Sequence, residues 1–132
     1  MPLRGKRAVL NEYRKKADEL PSKLAVEAAE SLIDKTPVDT GRTKANWNVS
    51  VGQPDTSTTD ATDKSGGATK ARAKAAAANA KAGDTVCVTN SLPHVPGLEH
   101  GDSSKAPQGM VAVTRAELPH RFARLVRRIR GR

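Results

Sequence analysis

The sequence predicts an α+β fold in which a long N-terminal helix and a basic C-terminal helix enclose a small antiparallel sheet. Apolar residues recur at three- and four-residue steps near both ends of the chain, and they alternate with polar residues in two short central stretches. The resulting order of helix, strand, insertion, strand, loop and helix is typical of α+β proteins. The length of 132 residues fits a single domain, 1–132, with an insertion at about 53–84.

The first segment has the period of an amphipathic helix. Its apolar stripe consists of Leu10, Tyr13, Ala17, Leu20, Leu24, Ala28 and Leu32. Pro21 interrupts this helix, because a proline ring removes a backbone hydrogen bond and clashes with the preceding turn. We therefore expect either a kink at Pro21 or two helices, the second with Pro21 near its first position.

The stretch TPVDTG, residues 36–41, predicts the end of this helix and a corner. Pro37 disfavours helical backbone at the preceding residue, the Asp39 side chain can bond its own turn, and Gly41 can adopt a positive φ. The following ANWNVSVG has the two-residue period of a half-buried strand. The apolar positions of this strand are Trp47, Val49 and Val51.

Residues 53–84 form a low-complexity insertion that contains no large apolar side chain. Its first half is rich in Thr, Asp, Ser and Gly and is expected to be flexible, whereas its Ala-rich second half predicts a short helix ending at Gly83. The next residues, TVCVTN, predict a second strand. Because two strands make a poor sheet, a third is expected from the edges of the insertion, from residues 110–113 or from a neighbouring subunit.

The last third of the chain predicts a loop followed by a helix. Proline and glycine punctuate residues 91–111, with one helical turn expected at GLEHG. Thr114 and Glu117 fit a capping box, and Pro119 is expected to delay the true helix start by a turn. The apolar stripe of this helix is Leu118, Phe122, Leu125 and Ile129.

The net charge of +9 is concentrated at the two ends of the chain. Residues 1–16 carry six basic side chains and one acidic (+5), residues 114–132 carry seven and one (+6), and residues 17–113 carry ten and twelve (−2). Basic ends indicate contact with a polyanion or with an acidic partner surface, although solvated helix faces are often basic as well. Contact with DNA would be independent of base sequence and sensitive to salt.

The supply of core residues is small. Tyr13, Trp47 and Phe122 are the only aromatic residues, so we expect the fold to gain stability from neighbouring subunits. The single Cys87 excludes an internal disulfide and fits a reducing compartment. No apolar run is long enough for a membrane span or a signal peptide, which predicts a soluble cytoplasmic protein without a membrane partner.

The sequence offers no pattern typical of a metal site or of catalysis. A metal cluster would have to come from Cys87, His94, Glu99, His100, Asp102 and His120, whose spacing matches no common zinc signature. A nucleophile elbow and a glycine-rich phosphate loop are both missing. We therefore expect no metal, no cofactor and no enzymatic activity.

Three stretches together resemble a known family. They are TPVDTGRTKANWNVSVG (36–52), VTNSLPHVPGLEHG (88–101) and KAPQGMVAVT (105–114). In this order, after an N-terminal helix, they resemble the tail-completion or neck proteins of long-tailed bacteriophages, the group that includes the minor tail protein Z type. The chain departs from that pattern at Thr43, where an apolar residue is common, and near His94, where an aromatic residue is often expected.

This resemblance implies a structural virion protein whose copies form a ring that completes the tail and joins it to the DNA-filled head. The implied partners are copies of the same chain, a head-side connector or stopper, and tail-terminator or tail-tube proteins. DNA in the channel is a further partner, contacted without regard to sequence. Assembly would take place in the host cytoplasm. The alternative interpretation is a small DNA-binding protein without sequence specificity.

The resemblance also implies which residues carry the shared structural motifs and subunit contacts. The corner would be fixed by Pro37, Asp39, Thr40, Gly41, Arg42 and Trp47; the turn by Leu98, Glu99, His100 and Gly101; and the loop by Ala106, Pro107, Gly109 and Met110. The corner would direct Trp47 into the core and leave Arg42 available to a partner. Arg42 and Glu99 are expected to pair within or between subunits.

The C-terminal arginines would either line a DNA channel or meet acidic patches of the next ring. They are Arg121, Arg124, Arg127, Arg128, Arg130 and Arg132.

Overall fold

A computed structural model of the chain describes residues 2–106 and 108–131, with side chains from residue 5 onward. The elements are α1 (Pro2–Lys35), α2 (Arg42–Ala45), β1 (Asn48–Val51), α3 (Gly67–Ala77), β2 (Val86–Thr89), α4 (Val95–Glu99) and α5 (Val111–Arg130). This order confirms the predicted α+β class, with a long N-terminal helix, a small antiparallel sheet and a basic C-terminal helix.

α1 is one helix of 34 residues with Pro21 inside it, so the alternative of two helices is wrong. Only its second half enters the core, where Ala29 and Ile33 are fully buried. The predicted apolar stripe is exposed at its start, because Leu10 retains 54% and Tyr13 67% of its accessible surface. At 1.5 Å per residue, α1 is about 50 Å long.

β1 and β2 form a two-stranded antiparallel sheet in which Val49 lies opposite Val88. Trp47 and Val49 are buried as the alternation predicts, but Val51 is 40% exposed. Residues 110–113 do not supply a third strand, because α5 begins there. The part of the chain that the structure describes therefore contains a sheet of two strands.

α3 packs against α1 and β1 although it has no large apolar side chain. Its Ala73 and Ala77 are buried in a cluster with Ala25, Ala29 and Val49. Alanine methyl groups thus form a second small core. The helix ends at Ala77 rather than at Gly83.

α5 begins at Val111, one turn before the predicted cap at Thr114, and the expected delay at Pro119 is wrong because Pro119 lies inside the helix. The capping box is wrong, because Thr114 is inside the helix and its hydroxyl hydrogen-bonds the Ser31 hydroxyl at 2.9 Å. At the other end of α5, Ile129 lines a groove together with Leu20 of α1. α5 therefore runs antiparallel to α1, and the two basic ends of the chain lie at the same end of the molecule.

Candidate functional site

The three motif stretches meet in the main core. This core consists of Leu32, Ile33, Trp47, Leu92, Val95, Ala106 and Met110, with Val88 and Leu98 packed against it. Trp47 is 3% exposed, and its indole N–H donates to the Thr36 hydroxyl at 2.8 Å. That hydroxyl in turn donates to the Leu32 carbonyl at 2.6 Å. The end of α1, the corner and the tryptophan are thereby fixed to one another.

Gly41 has the positive φ that the sequence predicted, at 89°. A Cβ at this position would lie 2.7 Å from the Lys64 backbone nitrogen, because the insertion returns to the corner here. The Gly41 carbonyl accepts from the Asp63 N–H at 3.0 Å. Within the corner, the Thr40 hydroxyl accepts from the Arg42 N–H at 3.2 Å, while Asp39 is exposed. The remaining corner residue, Pro37, is half-buried.

Arg42 contacts the insertion. Its Nη2 lies 3.3 Å from Asp60 Oδ1, and its Nε donates to the Thr59 carbonyl at 3.2 Å. The Asn46 side chain binds the same backbone, accepting from the Thr59 N–H at 2.8 Å and donating to its carbonyl at 3.0 Å. The first half of the insertion, which was expected to be flexible, is thus attached to the corner.

The two departures from the family pattern contact each other. The Thr43 hydroxyl lies 2.7 Å from His94 Nε2, within hydrogen-bond distance. An apolar residue was expected at position 43 and an aromatic one near position 94; here a hydroxyl and an imidazole lie against each other instead.

Glu99, the last residue of α4, caps the N-terminus of α5. Its Oε1 accepts from the Met110 and Val111 N–H groups, both at 2.8 Å, and its Oε2 accepts from the Ala112 N–H at 2.9 Å. Burial alone would raise the pKa of Glu99, but these N–H groups and the nearby His100 outweigh it, so the pKa is lowered. A carboxylate at a helix N-terminus also interacts favourably with the helix dipole.

The turn and the loop approach each other closely around this cap. Gly109 has a φ of 81°, and a Cβ there would lie 2.5 Å from the Glu99 carbonyl oxygen. Leu98 is half-buried against the core, Gly101 has a positive φ, and His100 is exposed. Pro107 lies outside the described residues.

The predicted pair of Arg42 and Glu99 does not form within the chain. Arg42 binds Asp60 and Thr59, whereas the Glu99 carboxylate is occupied by three N–H groups of the α5 terminus. A contact between these residues across two subunits remains a prediction.

The C-terminal arginines differ in their contacts. Arg121 pairs with Glu117 at 3.1 Å, and Arg128 pairs with Glu27 at 2.9 Å. Arg124, Arg127 and Arg130 are exposed and form no ion pair within the described part of the chain. Arg132 lies outside the described residues.

Two residues that were not predicted as site residues, Arg72 and Asp63, hold the insertion in place. Arg72 Nη2 donates to the Ala45 and Trp47 carbonyls at 2.8 and 2.9 Å, which joins α3 to the corner. Asp63 Oδ2 accepts from the Thr69 hydroxyl at 2.7 Å and from the Thr69 N–H at 2.8 Å, and the hydroxyl bond is the main cause of the lowered pKa of Asp63. In the sequence, the signal for this contact is an aspartate six residues before Thr69, just ahead of the Ala-rich run that forms α3.

None of the described helices is long and apolar enough to cross a membrane. The described residues also include no group of three or more His, Cys, Asp or Glu side chains placed to hold a metal ion.

Comparison with known proteins gave no match to a protein family, a curated protein or a solved structure.

Proposed function

We propose that this chain is a structural virion protein of the head–tail junction in a long-tailed bacteriophage. Its copies would form a ring that completes the tail and joins it to the DNA-filled head. The observation that carries this proposal is the convergence of the three family-like stretches in one packed unit. Trp47 fixes the corner, and Glu99 ties the turn to the start of α5.

These contacts support a structural rather than a catalytic role for the motifs. The Glu99 carboxylate makes three hydrogen bonds to backbone N–H groups. The indole N–H of Trp47 is likewise used by Thr36. The polar groups of these motifs are therefore used in hydrogen bonds that hold the fold together.

The exposed apolar side chains support burial against other proteins. Val9, Leu10, Tyr13 and Phe122 are each between 44% and 67% exposed. In a ring, such surface is covered by copies of the chain or by the neighbouring connector, stopper and tail proteins.

A phage that encodes this chain tests the proposal directly. An amber codon in the gene should yield DNA-filled heads and separate tails in electron micrographs of a non-suppressing host. The wild-type gene supplied from a plasmid should restore joined particles, and mass spectrometry should detect the chain in them. Joined, infectious particles without the protein would contradict the proposal.

A second candidate, a DNA-binding protein without sequence specificity, is favoured by the antiparallel packing of α1 and α5. This packing brings the +5 segment and the +6 segment to one end of the molecule. Binding to a random 20-base-pair duplex, followed by fluorescence anisotropy, should then weaken steeply with salt. Replacing Arg124, Arg127 and Arg130 by Gln should lower the affinity and the salt slope, while K64Q/K105Q serves as the control.

A further inference from the structure

The N-terminal half of α1, here residues 2–16, contributes little to the core, and its Tyr13 and Lys16 line a groove with the end of α5. Every side chain described between residues 5 and 15 is exposed. Val9, Leu10 and Tyr13 lie close together on this segment and retain 49%, 54% and 67% of their surface. A solitary helix of this length is marginal in water, so its apolar residues favour a partner.

A groove of about 600 Å³ lies between α1, α3 and α5. Its apolar part includes Val26 of α1 and Leu125 of α5. Four half-buried carboxylates of α1 line it as well: Asp18, Glu19, Glu27 and Glu30. The basic side chains of the groove, by contrast, are all exposed: Lys23, Lys74, Lys81 and Arg128.

Glu27 has hydrogen-bonding capacity that the described chain does not use. Its Oε1 accepts from Arg128 at 2.9 Å, whereas its Oε2 is buried without a hydrogen-bond partner. An unsatisfied buried carboxylate oxygen is costly, and a cationic donor would relieve that cost. The Glu27 carboxylate is therefore only partly satisfied by the described chain, at a position that lines the groove.

We propose that the N-terminal half of α1 from one copy docks in this groove of the next copy. The segment combines apolar anchors with six basic side chains against one acidic residue, and the half-buried side chains of the groove combine apolar and carboxylate groups. This pairing of an amphipathic helix with a groove is a common recognition mode. The inference rests on the proposed ring and names the contact that builds it.

The charge distribution favours a head-to-tail contact over a symmetric one. Two basic ends placed face to face would repel each other, whereas a helix in a groove uses different surfaces on the two copies. Contacts of this heterologous kind repeat from copy to copy and close into a ring when the rotation allows it.

Sedimentation velocity of the purified chain tests this contact. The wild type should self-associate with increasing concentration, and L10E/Y13E should weaken that association by about tenfold or more. The matched control is V51E, because Val51 is an apolar residue of 40% exposure on β1 and lies neither in α1 nor in the lining of the groove. V51E should associate like the wild type, and circular dichroism should show that both variants fold.

Mixing two defective variants distinguishes a head-to-tail contact from a symmetric one. L10E/Y13E keeps an intact groove, and E27R/E30R keeps an intact helix, so each alone should be monomeric at concentrations where the wild type associates. Their mixture has one productive contact and should form dimers without larger species. Should E27R/E30R fail to fold, the comparison of L10E/Y13E with V51E decides alone.

Three results would overturn the inference: a wild type that stays monomeric, association of L10E/Y13E equal to that of the wild type, or a mixture without dimers. A monomer that instead binds duplex DNA through the same residues would identify DNA as the occupant. If the chain assembles through another surface, the ring proposal survives and only this contact is wrong. The amber-codon experiment judges the ring proposal independently.

Discussion

At the start of α5, three consecutive backbone N–H groups donate to a single carboxylate, that of Glu99. The sequence predicted a capping box three residues later, because Thr114 and Glu117 have the right spacing. Spacing identifies only local caps, whereas this cap comes from α4, eleven residues before Met110. With these N–H groups satisfied by Glu99, the helix can begin at Val111.

Glu99→Gln should lower the free energy of unfolding at pH 7 by about 1–3 kcal/mol, because hydrogen bonds to a charged acceptor are lost. The folded pKa of Glu99 is lowered, so its stabilising contribution is fully present above the unfolded value of about 4.3. That contribution is lost as the pH falls through the folded pKa. Urea unfolding at pH 7 and at lower pH should therefore show a deficit that shrinks with acid.

The control for this variant is Glu12→Gln. Glu12 is exposed and pairs with Lys16 only across one turn of α1. Such surface pairs contribute little, so the expected effect is below about 0.5 kcal/mol. A Glu99→Gln deficit that is equal at all pH values would contradict the capping role.

Gly41→Ala should destabilise the chain more than Gly83→Ala does. Both glycines have a φ near +90°, so both substitutions incur a left-handed backbone cost of about 1–2 kcal/mol. Only at Gly41 would the new Cβ also meet backbone, 2.7 Å from Lys64 N, while Gly83 has open space around it. Thermal unfolding of the two variants measures the difference, and equal losses would disprove the close approach at the corner.

At the level of elements, periodicity predicted both long helices and both strands but not how much of each is buried. α1 has an apolar stripe along most of its length, yet α5 reaches only as far as Tyr13 and Ala17. A repeat in sequence defines a face, and the length of the partner helix decides which part of that face is covered. Leu10 therefore remains exposed because it lies beyond the end of α5, which the sequence around Leu10 does not indicate.

The insertion shows the opposite case, because part of it is more buried than its composition indicates. It contains no large apolar side chain, yet its Ala73 and Ala77 are buried against Ala25 and Ala29. Alanines on facing helices can exclude water from each other despite their small size. The contacts of Arg72 could not be predicted either, because its partners are backbone carbonyls, which carry no sequence pattern.

Ala77→Leu should destabilise the chain by about 1–3 kcal/mol, because Ala77 is fully buried and the added atoms would overpack the cluster. Ala75→Leu is the matched control on an exposed position of the same helix, with an expected change within about 0.5 kcal/mol. Chemical unfolding compares the two. If both variants are as stable as the wild type, α3 does not pack on α1 as described.

At the scale of the whole molecule, the sequence located the basic segments but not their relation to each other. Charge counts place +5 and +6 at opposite ends of the chain. The packing of α5 on α1 brings them together, as the contact of Ser31 with Thr114 and the shared groove of Leu20 and Ile129 show. Such pairings depend on the antiparallel course of α1 and α5, for which a single sequence carries no local signal.

The groove and the projecting half of α1 likewise appear only at this scale. The helix exposes the apolar side chains of Leu10 and Tyr13, and the groove holds a Glu27 oxygen without a hydrogen-bond partner. Both features belong to a chain with a small core that leaves apolar side chains exposed.

The most direct measurement of the proposed role is a localised electron cryo-microscopy reconstruction of the head–tail junction in a phage that encodes this chain. It should show a ring of copies between head and tail, with the first half of each α1 lying in the groove of its neighbour. A junction built entirely from other proteins, with no density for this chain, would contradict the account.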